Sequence, residues 1–275
     1  MRLTSSLFAG PILAALTLCS TTAAFAHEFW ISPQKYQLAP QEPIIAALRV
    51  GQNFKGASYA FLPPEFERFD LVQGDIVQPV KGRIGDRPAL NMAAGDTGLW
   101  IIVHETRDDI LRYTEAEKFV NFATHKDFVD VLARHAERGL PPQGFAEAYR
   151  RFGKSLVSVG AGAGQDRAVG LRTEIVARAN PYTDDLSGGL PIDVYLEGAP
   201  RIDVQVEIFA RYGPEDVRVS TVRTDETGRA IIPVEPGVEY LLDAVVMLPL
   251  AAKDTVNDPV WESLWASLTF KTPQP

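Results

Sequence analysis

Cysteine is almost missing from this chain: Cys19 is the only one, and it lies within the first 26 residues. If those residues are removed, no disulfide and no thiolate metal site remains, and stability has to come from an ordinary core. Long apolar runs are missing too. The stretch from Leu7 to Leu18 is shorter than the roughly 20 residues that span a bilayer, and no later uninterrupted run reaches that length. Histidine is scarce, with four in the chain. There is no Gly-x-Ser-x-Gly elbow, no His-Glu-x-x-His, no dinucleotide fingerprint and no calcium loop. These absences argue against serine and thiol hydrolases, zincins and nucleotide enzymes, and favour a binder over an enzyme.

Residues 1–26 have the three parts of a secretory signal: Arg2, the apolar core from Leu7 to Leu18, and the small-x-small site Ala24-Phe25-Ala26. The chain is therefore expected to be exported, with no transmembrane span after cleavage. A lipid anchor at Cys19 is disfavoured, because bulky Leu18 stands where a small residue is wanted. Acidic residues outnumber basic ones, 35 to 27, for a net charge of −8, so nucleic acid is not an expected partner. Cleavage after Ala26 makes His27 the first residue. A terminal histidine sets an α-amine and an imidazole nitrogen in one chelate ring, which suits copper or nickel.

From Trp30 to Val103, short apolar runs broken by Pro, Gly and Asn read as strands: Ile44–Val50, Arg68–Val72, Ile76–Pro79 and Leu99–His104. The last is apolar on both faces and is expected to be central. Thr114 and Glu117 form a capping box opening a helical period through Phe119, Phe122, Val129, Leu132 and Ala136, as one helix or as two broken near His125. A further helix is expected from Phe145 to about Leu156, with Arg150, Arg151 and Lys154 on a solvated face. The Gly160–Gly164 run reads as a flexible connector. Seven strands follow: Gly170–Arg178, Leu190–Leu196, Ile202–Phe209, Val217–Arg223, Ala230–Pro233, Tyr240–Met247 and Leu264–Phe270. Thr224–Gly228 is read as a hairpin turn among them. The expected fold is mainly β: two β-sandwich-like modules, the second immunoglobulin-like or transthyretin-like, with a helical insertion between them. The expected boundaries are 1–26 signal, 27–113 first module, 114–160 helical segment and 161–275 second module.

His125 and His135 are ten residues apart, about 15 Å along one unbroken helix and on different faces, so on such a helix they are not expected to share an ion, a conclusion that a break near Thr124 would loosen. His104 falls on the same strand face as Trp100 and Ile102 and could meet His27 in a three-nitrogen site. Glu105 or Asp108 would add an oxygen ligand or orient an imidazole. Glu174 and Asp193 also lie inside expected strands. Asp243 interrupts Tyr240–Val246, and a carboxylate there needs an Arg or backbone amides to satisfy it. The candidate metal set is His27, His104, Glu105 and Asp243. Trp261 and Trp265 would flank a ligand if helical, or else pack into the core.

His27–Trp30, Val50-Gly51 with Phe54, Tyr149–Leu156, Gly170–Val176 with Asn180-Pro181, Thr224–Gly228 and Trp261–Phe270 together form a pattern spanning most of the chain. It resembles a family of bacterial periplasmic proteins of unknown function, the domain-of-unknown-function group numbered 4198. That group is similar to the exported, metal-associated part of some nickel and cobalt uptake proteins. The resemblance implies periplasm, β-rich modules and transition-metal homeostasis, with an inner-membrane metal uptake component as partner. Three functions stay open: binding or delivery of copper, nickel or cobalt through His27; a non-catalytic adaptor of a membrane uptake complex; and a copper-dependent oxidative enzyme.

Overall fold

A computed structural model describes residues 27–274. The expected signal and Cys19 lie outside the described residues. Before the helices run β1 (Glu28–Pro33), β2 (Gln37–Leu38), β3 (Pro43–Gln52), β4 (Lys55–Tyr59), β5 (Phe66–Gln73), β6 (Ile76–Pro79), β7 (Leu90–Ala93), β8 (Gly98–Thr106) and β9 (Asp109–Arg112). The helices are α1 (Ala116–His125) and α2 (Val131–Glu137). After them come β10 (Ala146–Val159), β11 (Thr173–Ala177), β12 (Leu190–Leu196), β13 (Ala199–Pro200), β14 (Gln205–Arg211), β15 (Val217–Arg223), β16 (Arg229–Ile232), β17 (Glu239–Pro249) and β18 (Pro259–Lys271). The fold is mainly β and sandwich-like, as expected.

One ten-stranded sheet organises the molecule, in the order β15-β14-β17-β18-β10-β8-β5-β6, with β2 and β9 also paired to β10. It draws strands from both sides of the Gly160–Gly164 run. A four-stranded sheet of β1, β3, β4 and β7 and another of β11, β12, β13 and β16 complete the set. Strand β8 explains the layering. Leu99, Ile101 and Val103 enter the core shared with Ile175, Ile192 and Val194, while Trp100 and Ile102 enter the core shared with Phe29, Ile31 and Ile44. Both faces of this strand are covered, as its unbroken apolar run predicts.

Several expectations are corrected. Phe145–Leu156 is not a helix but most of β10, flanked by β18 in parallel and by β8 and β9 antiparallel. Phe152, Lys154 and Leu156 alternate with Gly153, Ser155 and Val157, and all six are buried. Lys154 is only 1% exposed, so it is not part of a solvated face. Of the two readings of Trp261 and Trp265, the core one holds: the segment is strand, and both indoles pack into the core under the helices. The helical period is split, α1 ending at His125, but no capping box forms: Glu115 is the N-cap and makes no side-chain cap bond. Thr224–Gly228 does turn tightly, with Gly228 at φ +80° and its N–H donating to Asp225 O. Its flanking strands are not a hairpin, however, since β15 pairs with β14 and β16 with β12. The glycine run is held rather than free, because Asn180 Nδ2 donates to the carbonyls of Gly162 and Gly164.

Candidate metal centre

Alternation along three strands, together with one turn, carries charge into one buried spot. On β1, Glu28 shares a face with Trp30, opposite Phe29 and Ile31. On β14, Glu207 shares a face with Phe209, while Val206 and Ile208 enter the opposite core. Strand pairing sets Glu207 directly across from Asp243 on β17. The turn after α1 then inserts Lys126 between them, with His125 at its rim. Asp127, next in the chain, takes a left-handed φ of +54° and is paired to Arg223, which closes this turn onto β15.

Glu28, Lys126, Glu207 and Asp243 are each 5% exposed or less. The Lys126 ammonium lies 2.8 Å from Asp243 Oδ2 and 3.8 Å from Glu28 Oε1, and it donates to Glu207 Oε2. It also lies 4.9 Å from the centre of the Trp265 ring, a cation–π position. His125 Nε2 sits 2.9 Å from Glu207 Oε1. Three carboxylates thus surround one ammonium. Burial pushes Glu28 up to about 7 despite the nearby Lys126 charge, and burial also raises Asp243. Burial works against the charged Glu207 as well, but hydrogen bonds from His125 and Lys126 outweigh it and hold this carboxyl below its usual range. The bond to Glu207 in turn raises His125. Burial works to lower Lys126, and the surrounding carboxylates overcome it and lift the ammonium above its ordinary value.

Two buried oxygens, Glu28 Oε2 and Asp243 Oδ1, have no hydrogen-bond partner. Glu28, His125 and Glu207 each offer a ligand atom, all within 4.8 Å of one another. Two carboxylate oxygens and an imidazole form a donor set that suits borderline divalent ions such as nickel, cobalt and copper(II).

The sequence-derived set is only partly gathered here. Asp243 is in the cluster, with Oδ2 paired to Lys126 rather than to an arginine or backbone amides and Oδ1 left without a partner. His27 is exposed and precedes Glu28 directly, lining an open hollow with Asn53, Lys55, Tyr59 and Glu215. His104 lies elsewhere, 3% exposed among Phe29, Phe66 and Phe69 at ring distances of 5.0–5.3 Å. Burial lowers it to about 3. Glu105 is half-buried and accepts from Arg150 at 3.0 Å. Glu28, Lys126, His125 and Glu207 were not singled out by the sequence as a group. The available signal was a charge inside an apolar strand, present at Glu207 as at Asp243.

A family model described as Domain of unknown function (DUF4198) matches residues 24–247. The chain belongs to this family. The match takes in every member of the buried cluster, from Glu28 to Asp243, and ends within β17. No curated protein matches the chain. Among the described residues no helix is long and apolar enough to cross a membrane.

Proposed function

We propose that the protein is exported to the periplasm and there binds or delivers a transition metal ion, copper, nickel or cobalt, at Glu28, His125 and Glu207, with the mature N-terminal His27 beside them. The observation that carries this reading is the three-residue donor set, its ligand atoms within 4.8 Å and its first member directly following His27. The orphaned oxygens of Glu28 and Asp243 support it, because buried carboxylate oxygens without donors are costly and a cation relieves that cost. Lys126 is the resident cation of the same pocket. A divalent ion would take over part of its role, so the lysine sets how readily the pocket accepts one. Hand-over to an inner-membrane uptake component is the partner step that this reading implies.

The test is calorimetric titration of nickel(II), cobalt(II) and copper(II) into protein whose processed N-terminus has been sequenced. Micromolar or tighter binding, weakened at least tenfold in both His27→Ala and His125→Ala, is expected. Both side chains are exposed, so neither variant should unfold the chain. Undiminished affinity in both would sink the proposal.

A further inference from the structure

A second buried charge cluster lies across the ten-stranded sheet from the first. Lys154 projects from β10 on the same face as Phe152 and Leu156, into the core beneath β11 and β12. Its Nζ is 2.8 Å from Oδ1 of Asp166, in the connector that leaves β10, and 3.7 Å from Oε2 of Glu174 on β11. The three side chains are 1%, 0% and 3% exposed. The lysine also donates to Arg167 O at 3.0 Å. Backbone amides clamp both acids. Asp166 Oδ1 accepts from the N–H of Arg167 and Oδ2 from that of Ala177, each at 2.8 Å. Glu174 accepts from the N–H groups of Val169 and Gly170.

An ammonium held 2.8 Å from a carboxylate oxygen, buried with it and with a second carboxylate 3.7 Å from the nitrogen, keeps the two partners of an amide in lasting contact. We propose that Lys154 and Asp166 condense into an intramolecular isopeptide bond, with Glu174 as the proton carrier. Glu174 takes a proton from the Lys154 ammonium and passes it to an Asp166 oxygen, and the freed Nζ lone pair attacks Cγ of the now neutral carboxyl. The amides of Arg167 and Ala177 already lie on the two oxygens and stabilise the charge that develops there. The new C–N bond then persists as one Asp166 oxygen departs as water. That oxygen carries off the two protons lost by Nζ, relayed through Glu174. Ammonium plus carboxylate gives amide plus water, so atoms and charge balance and no oxidant or activating group is required. Enforced contact supplies what dilute reactants lack, since effective molarities in such geometries reach about 10⁵ M or more. The product ties the connector after β10 covalently to the large sheet and fixes the crossing from that sheet to β11.

Tryptic peptides of the folded, purified protein decide the matter by mass spectrometry. A linked Lys154 is no substrate for trypsin, so residues 152–167 should appear as one uncut peptide, one water lighter than its sequence, with no backbone fragments between positions 154 and 166. Glu174→Gln should yield peptides cut after Lys154 at full mass from a protein that still elutes as a folded monomer or oligomer like the parent. Cleavage after Lys154 in the parent, with residues 155–167 at full mass, would overturn the proposal. So would a water loss confined to residues 155–167, which reports a succinimide at Asp166. A Glu174→Gln protein linked as fully as the parent would overturn the role given to Glu174.

Discussion

Replacing His104 with leucine should remove a specific part of the acid sensitivity of this fold. The imidazole sits among three phenylalanine rings with Nδ1 buried and unpartnered, so the folded protein holds it neutral and its pKa falls to about 3. In the unfolded chain a histidine titrates near its ordinary value of 6.5. A folded pKa below the unfolded one means that the unfolded state takes up the proton first. The contribution of His104 is therefore fully present above about pH 6.5 and erodes as pH falls toward about 3. At about pH 5 the loss is roughly 2 kcal/mol, and it grows by about 1.4 kcal/mol for each further pH unit. Urea unfolding of parent and His104→Leu at about pH 7.5 and about pH 5 measures it as a difference of differences. Glu28, which titrates in the same range, is common to both proteins and cancels. The variant should gain roughly 2 kcal/mol on the parent between the two conditions. A gain below about 0.5 kcal/mol would refute the reasoning, because it would mean that folded His104 takes up protons freely. The same variant should bind nickel(II) as the parent does, since His104 lies outside the Glu28–His125–Glu207 set.

Lys126→Met leaves Glu28, Glu207 and Asp243 facing one another without their ammonium, and should cost roughly 3–5 kcal/mol by urea unfolding. Added cobalt(II) should raise the melting temperature of this variant more than that of the parent, and an unchanged stability without metal would show that the carboxylates are not charged together. Gly153→Ala places a Cβ 2.7 Å from Phe29 Cε1, where β10 passes under β1, and should cost about 1–3 kcal/mol by the same assay. A neutral result there would mean that β1 does not lie on β10 as described.

Periodicity reached far into this fold but failed at its centre. Ile76–Pro79, Leu190–Leu196 and Val217–Arg223 were readable to the residue because each run is short and ends at a turn. Strand β10 was not. Phe145, Tyr149, Phe152 and Leu156 recur at helical intervals, and the Ala-Glu-Ala-Tyr-Arg-Arg composition suits a helix. A strand buried on both faces has no alternation to show, and the charge that argued for solvent, Lys154, is neutralised by Asp166 and Glu174 from segments that sequence reading could not bring together. Pairing with β18 and β8 decided the outcome.

The candidate metal centre was half legible for a related reason. Asp243 stood out because a carboxylate inside an apolar strand requires a partner, and that inference was sound as far as it went. The partner's identity lay in long-range register: Glu207 faces Asp243 only because β14 and β17 pair antiparallel, and Lys126 arrives only because α1 ends at His125. The unbroken helix used to separate His125 from His135 is not there, since α1 ends at His125; what engages His135 is its own pair of bonds, to Trp261 and to Pro141. Helix geometry said nothing about His125 meeting Glu207. What sequence supplied was a list of charges too costly to bury alone; what the fold supplies is their assembly into one pocket where three carboxyl groups share one ammonium, with Glu28 next in the chain to His27. Two of its carboxylate oxygens, on Glu28 and Asp243, are left without a donor, which is why the metal site is proposed at the pocket rather than at any single histidine.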